Sequence, residues 1–204
     1  MTKSTGEGLR DRKKRQTRKA LSRAAVDLVA ERGLDHVTVE DISAAADVSP
    51  RTFFNYFASK EDAVLAPDPE AGARLRAGVL AQPAGLSAVE AVREALLAEV
   101  STELNEDREF WGRRMCVVQR YPVLLAKVLA GGEQVEREVV AGIAERVGVP
   151  ADATHPMLLA AAAGAAFRVA VVRWSATAGD ATLPALLVEA FDLLAGGLAD
   201  PPRS

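Results

Sequence analysis

The residues best equipped for chemistry fall in one short run, Ser49-Pro50-Arg51-Thr52-Phe53-Phe54-Asn55-Tyr56-Phe57. Serine followed by proline is an N-cap with proline at the first helical position, so a helix begins here. Phe53 and Phe57 stand four residues apart and share the inner face. Arg51, Thr52, Phe54, Asn55 and Tyr56 then point outward. That surface suits duplex DNA. Arginine pairs with guanine and asparagine with adenine, a phenyl ring touches a thymine methyl, and hydroxyls hold phosphates. Pro50 opens a first turn whose N–H groups face a phosphate. Lys60, at the start of the next helix, is placed for the same task. Were this only a helical domain with a capped turn, Phe54 and Tyr56 would be exposed aromatics without a purpose.

Positioning such a surface takes a second helix and a tight turn. Thr38-Val39-Glu40-Asp41 is a capping box with Asp in place of Glu, and Thr38 is grouped with the DNA surface. It opens a short helix with Ile42 and Ala45 or Ala46 inward. Asp47-Val48 makes the turn. The pattern predicts a helix-turn-helix over 38–57, with the second helix running to about Phe57 and lying in the major groove. Ile42, Val48, Phe53 and Phe57 form its small core. A longer helix over about 10–31 precedes it, with Leu21, Ala25, Leu28 and Val29 inward and Gly33 as its stop. Met1–Leu9 and the tail from Asp200 read as frayed.

Charge supports a polyanion partner. Residues 1–60 hold 12 Lys/Arg and 8 Asp/Glu, a net +4, whereas residues 61–204 hold 13 and 20, a net −7. Arg10 to Arg23 contains eight basic residues and one acid, Asp11. Phosphate contacts are expected from some of Arg12, Lys13, Lys14, Arg15 and Arg18. The competing reading is a solvated helix face.

The run Thr38…Ile42…Ala45…Val48-Ser49…Thr52…Phe54-Asn55-Tyr56-Phe57…Ser59-Lys60, preceded by Ala25, Leu28 and Glu31-Arg32-Gly33, resembles the tetracycline-repressor (TetR/AcrR) family over about residues 15–66. The resemblance implies an all-α homodimer. Its N-terminal three-helix helix-turn-helix domain binds a double-stranded operator, and a larger C-terminal helical domain binds a small effector and dimerises. Effector binding then shifts the spacing of the two reading heads and releases the DNA. Two residues depart from the family pattern. Asp47 stands where glycine is usual, and aspartate tolerates the left-handed conformation better than most residues. Phe54 stands where tyrosine is usual, which removes a hydroxyl and favours a methyl or sugar contact.

Pro67 and Pro69 mark the junction, so the expected domains are 10–66 and 67–204. Further helices are predicted near 69–81, 88–104, 107–119, 122–147 with a break at Gly131-Gly132, 155–178 and 182–198. The last two suit a bundle with a second copy, where the resemblance puts the dimer interface. Phe110, Trp111, Met115 and Phe167 are candidates to line a pocket for a mostly apolar ligand. Arg168 or Arg173 would either hold an acidic ligand group or sit at an interface or at a surface paired with a carboxylate. Trp174 reads as packing or interface, and Cys116, beside Val117 and Val118, as core.

Other classes find little support. His36 and His155 have no companion at metal-ligand spacing, no catalytic set or phosphate loop is recognisable, and no cofactor is implied. A ligand-free architectural DNA-binding protein is disfavoured by the size of the acidic body. A lone Cys116 and a polar N-terminus suit the cytoplasm. The most apolar stretch, Met157–Val172, reads as too short to span a bilayer and contains Arg168.

Overall fold

The computed structural model describes residues 9–176 and 181–198. Of the segments read as frayed, residues 1–8 and 200–204 lie outside these, whereas Leu9 begins the first helix. Among the described residues all regular structure is helical. The helices are α1 (Leu9–Arg32), α2 (Val39–Ala45), α3 (Pro50–Phe54), α4 (Lys60–Leu65), α5 (Ala71–Ala81), α6 (Ala88–Arg120), α7 (Pro122–Val147), α8 (Thr154–Ala176) and α9 (Leu183–Ala195), with one 3-10 turn at Leu34–His36.

The chain divides into two compact units. One comprises Met1–Pro67 with Cys116–Leu125, the other Asp68–Met115 with Ala126–Ser204. In the first, α1 packs against α2 and α4, and α2 against α3. Leu21, Ala25, Val26, Leu28 and Val29 are buried along one face of α1, because positions three and four apart share a face. Leu34, Val37, Ile42, Phe53, Phe57, Ala63 and Val64 are buried as well, as are Val117, Val118 and Leu124 of the 116–125 segment. Truncating a buried phenylalanine such as Phe53 typically costs about 3–5 kcal/mol.

Gly33 ends α1 at φ +88°, with its N–H donating to the Val29 carbonyl at 3.0 Å. A side chain there would also meet the Tyr121 hydroxyl, 3.3 Å from where a Cβ would sit. Tyr121 belongs to the 116–125 segment that joins this unit.

The second unit has its own apolar core. Val92, Trp111, Ile143, Ala163, Leu187 and Phe191 are among its buried members. Three details differ from the sequence expectation. First, α6 is continuous over Ala88–Arg120 except for a kink at Asp107, where φ/ψ is −166°/86°. The Asp107 carboxylate accepts from the Phe110 N–H at 3.0 Å and starts the following segment as a cap would. Second, α7 runs through Gly131-Gly132 unbroken. Glycine costs only about 1 kcal/mol in a helix, and the rest of α7 outweighs it.

Third, α8 extends beyond Met157–Val172 at both ends, and Thr154–Trp174 is long and apolar enough to cross a membrane by length and composition. That corrects the reading of this stretch as too short. Its apolarity has a local cause: Leu159, Ala160, Ala163, Ala166, Ala170 and Val171 are buried in the core, and α8 packs along α9.

Candidate nucleic-acid interface

The helix-turn-helix is held by caps at each of its corners. At the start of α2, the Asp41 N–H donates to the Thr38 hydroxyl oxygen at 3.1 Å, while the Thr38 N–H and hydroxyl donate to the Asp41 carboxylate at 2.9 and 2.7 Å. These donors hold the Asp41 carboxyl below the usual carboxylate range. The shorter Asp therefore closes the box.

Between α2 and α3, Asp47 adopts φ +53°. Its N–H donates to Ala44 O at 3.2 Å, and the Val48 N–H to Ser43 O at 2.9 Å. This is the Schellman arrangement, with aspartate in the place glycine usually takes. At the start of α3, Ser49 Oγ accepts from the Thr52 N–H at 3.1 Å and shares a 2.9 Å bond with the Thr52 hydroxyl.

Helix α3 is shorter than predicted and ends at Phe54. The chain must turn to reach Ser59, which caps α4 through the Asp62 N–H at 3.2 Å. The inner side nonetheless forms as expected in part: Ile42, Phe53 and Phe57 are buried, while Val48 is half-buried. Outward, Arg51 and Asn55 are exposed, and so is Pro50. Phe54 is 58% exposed, with its ring edge-on to buried Phe53 at 5.4 Å and 85°. Thr52 and Tyr56 are half-buried. Thr38 is exposed, but its hydroxyl is engaged in the box.

Lys60 and Arg18 differ from the rest. The Lys60 ammonium is half-buried and donates to the carbonyls of Leu34 at 2.7 Å and Val37 at 2.9 Å. It ties α4 to the turn before α2 rather than standing out toward solvent. Arg18 is half-buried, with its guanidinium on the carbonyls of Tyr56 at 3.0 Å and Pro67 at 2.8 Å and over the Phe57 ring at 4.4 Å. These carbonyls are 38 and 49 residues away, and no local pattern could have revealed them. Arg12, Lys13, Lys14 and Arg15 on α1 are exposed.

In the second unit, three of the five residues expected at a ligand pocket come together. Trp111 is buried, and Met115 and Phe167 pack against the same cluster. Phe110 is half-buried with the Arg114 guanidinium 5.8 Å from its ring centre. Arg168 does not join them: it is exposed, since adjacent helical residues are turned by about 100° and Phe167 takes the inner direction. Arg173 pairs with the Glu189 carboxylate on α9 at 2.6 Å, one of the alternatives open to it. Trp174 packs against Trp111 with centroids 5.1 Å apart. Cys116 is exposed, contrary to its reading as core, whereas its neighbours Val117 and Val118 are buried. Among the described residues no cluster of metal-ligating side chains occurs.

Comparison with known proteins agrees with this architecture. Residues 21–66 match the family described as bacterial regulatory proteins, tetR family, and residues 86–199 match the MftR C-terminal domain of TetR proteins. The HTH-type transcriptional regulator TcmR of Streptomyces glaucescens is 38% identical over 195 residues, covering 92% of this chain and 86% of TcmR. Among solved structures, the SmeT–triclosan complex is similar with a TM-score of 0.62 at 19% identity, over 93% of this chain and all of that one. FadR of Thermus thermophilus, a TetR-family repressor solved with lauroyl-CoA, is similar with a TM-score of 0.54 at 25% identity, over 91% and 97% of the two chains. TcmR and FadR are transcriptional regulators, not enzymes. The chain belongs to the TetR family of DNA-binding transcriptional regulators.

Proposed function

We propose that the chain is a repressor that binds a roughly palindromic operator as a homodimer and leaves it when a small, mostly apolar molecule occupies the C-terminal unit. The observation that carries the DNA part is the exposed Arg51 and Phe54 on one capped helix and Asn55 at its end, with Ser49 and Asp41 fixing its start and that of its neighbour. Pro50, Thr52 and Tyr56 lie on the same helix or the turn after it and contribute backbone-facing contacts. Thr38 and Lys60 support the surface through the bonds they already make. In a dimer the two reading heads stand about 34 Å apart, one turn of the duplex. Its place of action is the cytoplasm, where the DNA is.

The dimer reading rests on α8. Leu158, Ala161, Ala165, Val169 and Val172 recur at helical spacing on one side of it, and Leu158, Val169 and Val172 are 66%, 53% and 53% exposed. An apolar stripe of this kind, on the side of α8 opposite its core residues, suits a second copy. The effector reading rests on Trp111, Met115, Phe167 and half-buried Phe110, large adaptable residues at the kinked end of α6 and on α8. Lauroyl-CoA in the related FadR is an effector class of fitting chemistry, a long apolar chain with an anionic end.

The experiment is operator selection followed by titration. A genomic fragment library is selected on the purified protein, and the enriched duplex is footprinted. Compounds that raise the melting temperature of the free protein are then titrated into the complex. Typical coupling of ~1–3 kcal/mol corresponds to a fall of roughly 5–150-fold in operator affinity. A binder with equal affinity for free and operator-bound protein is no effector. If every binder behaves so, the ligand-gated reading fails, leaving a regulator without gating.

A further inference from the structure

We infer that Arg18 is a positioning residue for DNA readout: its guanidinium clamps the end of the recognition helix to the chain leaving α4 and thereby sets the angle at which Arg51, Phe54 and Asn55 meet the bases. This rests on the reading that α3 is the recognition helix.

The geometry is specific to a guanidinium. One terminal nitrogen donates to the Tyr56 carbonyl at 3.0 Å, just after α3 ends, and the other to the Pro67 carbonyl at 2.8 Å. Its central carbon lies 4.4 Å from the centre of the Phe57 ring, itself buried beneath α3. Three separate anchors thus converge on one planar group carried by α1, an arrangement a single ammonium does not reproduce. The chain is shaped to meet it. Ala66 ends α4 in the left-handed conformation at φ +43°, an unusual place for a side chain, and its N–H donates to Asp62 O at 2.7 Å. That turn precedes Pro67 and sets the direction of its carbonyl.

The consequence concerns α3 more than overall stability. With five residues, α3 is a turn and a half of helix. Ser49 fixes its start and Phe53 its inner side. Beyond Phe54 the backbone bonds that follow are local, 2.9 and 3.0 Å from the Tyr56 and Phe57 N–H groups to Phe53 O. Arg18 supplies a long-range restraint at that end. Releasing it leaves the buried side chains in place while widening the range of angles α3 can take. Base contacts depend on that angle, whereas phosphate contacts tolerate variation.

The test uses the full-length dimer with Arg18→Lys and Arg18→Gln, the selected operator, and a scrambled duplex of equal length. In the positioning role both variants lose at least tenfold on the operator. Both hold their affinity for the scrambled duplex and its salt dependence, and reselection returns a degenerate site. If Arg18 instead contacts a phosphate, Lys preserves binding to both duplexes. Gln then weakens both, with the slope of log K against log salt shallower by about 0.9. An unchanged operator-to-scrambled ratio in the folded variants overturns the inference. So does failure of the Lys variant to fold, since Arg18 would then serve stability alone. Failure of the underlying reading is distinct: Arg51→Ala and Asn55→Ala would leave site preference intact in the protein that keeps Arg18.

Discussion

At the scale of single residues, side chains that look alike in sequence have divided between two jobs. Arg51 and Arg18 are both arginines on the basic side of the DNA-binding unit. Arg51 is exposed, whereas Arg18 is turned onto two carbonyls and a ring. Arg51→Ala is expected to cost ~1–3 kcal/mol in operator affinity and to relax preference at one base pair, as removal of a bidentate guanine pairing does. Selection with the variant checks it, and an unchanged site profile removes Arg51 from the readout. Asp41 gives a pH-dependent prediction. Its folded carboxyl lies below the usual range because Thr38 donates to it. The ionised form is thus favoured by folding. Its contribution is present in full above the ordinary carboxylate range and disappears as pH falls through the lower folded value. Denaturant unfolding of the natural protein and Asp41→Asn across pH should show a gap that closes on acidification. A gap of constant size would mean that the charge on Asp41 is irrelevant.

At the scale of elements, the N-terminal part of α1 and the paired helices α2 and α3 call for different readouts. Arg12, Lys13, Lys14 and Arg15 stand exposed along one end of α1. Deleting residues 1–14 should weaken binding to every duplex alike and flatten the salt dependence by about 0.9 for each phosphate that is no longer neutralised. A slope that survives the deletion would make this end a solvated helix face. The turn between α2 and α3 was legible because its chemistry is local. Asp47 in the left-handed region and Ser49 as N-cap each act within five residues. The end of α3 was not legible. A run from Pro50 to Phe57 has helical spacing throughout, and only the need to turn into Ser59 and α4 ends it at Phe54.

At the scale of the whole molecule, each of the two units has its own apolar core, yet a piece of the C-terminal sequence is assigned to the first. Residues 116–125, the end of α6 and the start of α7, join the N-terminal unit, and the Tyr121 hydroxyl lies beside Gly33 there. Assembly adds a further level. Val169→Glu places a charge in the middle of the exposed stripe on α8, where its side chain is 53% exposed in the single chain. It should therefore leave the monomer folded and dissociate the dimer, because burying an unpaired charge at an interface costs several kcal/mol. Sedimentation velocity together with circular dichroism checks this. A dimer that persists at micromolar concentration would move the interface off α8.

The sequence by itself determined what depends on neighbours a few residues apart. That covers the all-helical class, the caps and turn of the helix-turn-helix, the buried side of α1, and the outward set Arg51, Phe54 and Asn55. Helical periodicity and capping are short-range, so they can be read in order along the chain. Only the tertiary structure decided where long side chains finish. Arg18 crosses to Tyr56 and Pro67, Lys60 reaches back to Leu34 and Val37, Arg168 faces outward while Phe167 faces the core, and Cys116 is exposed beside buried Val117 and Val118. An arginine or lysine stem spans several ångströms and donates to any carbonyl or phosphate oxygen within reach. Its partner is chosen by which backbone the fold brings near, and that information is spread over the whole chain rather than written at the residue.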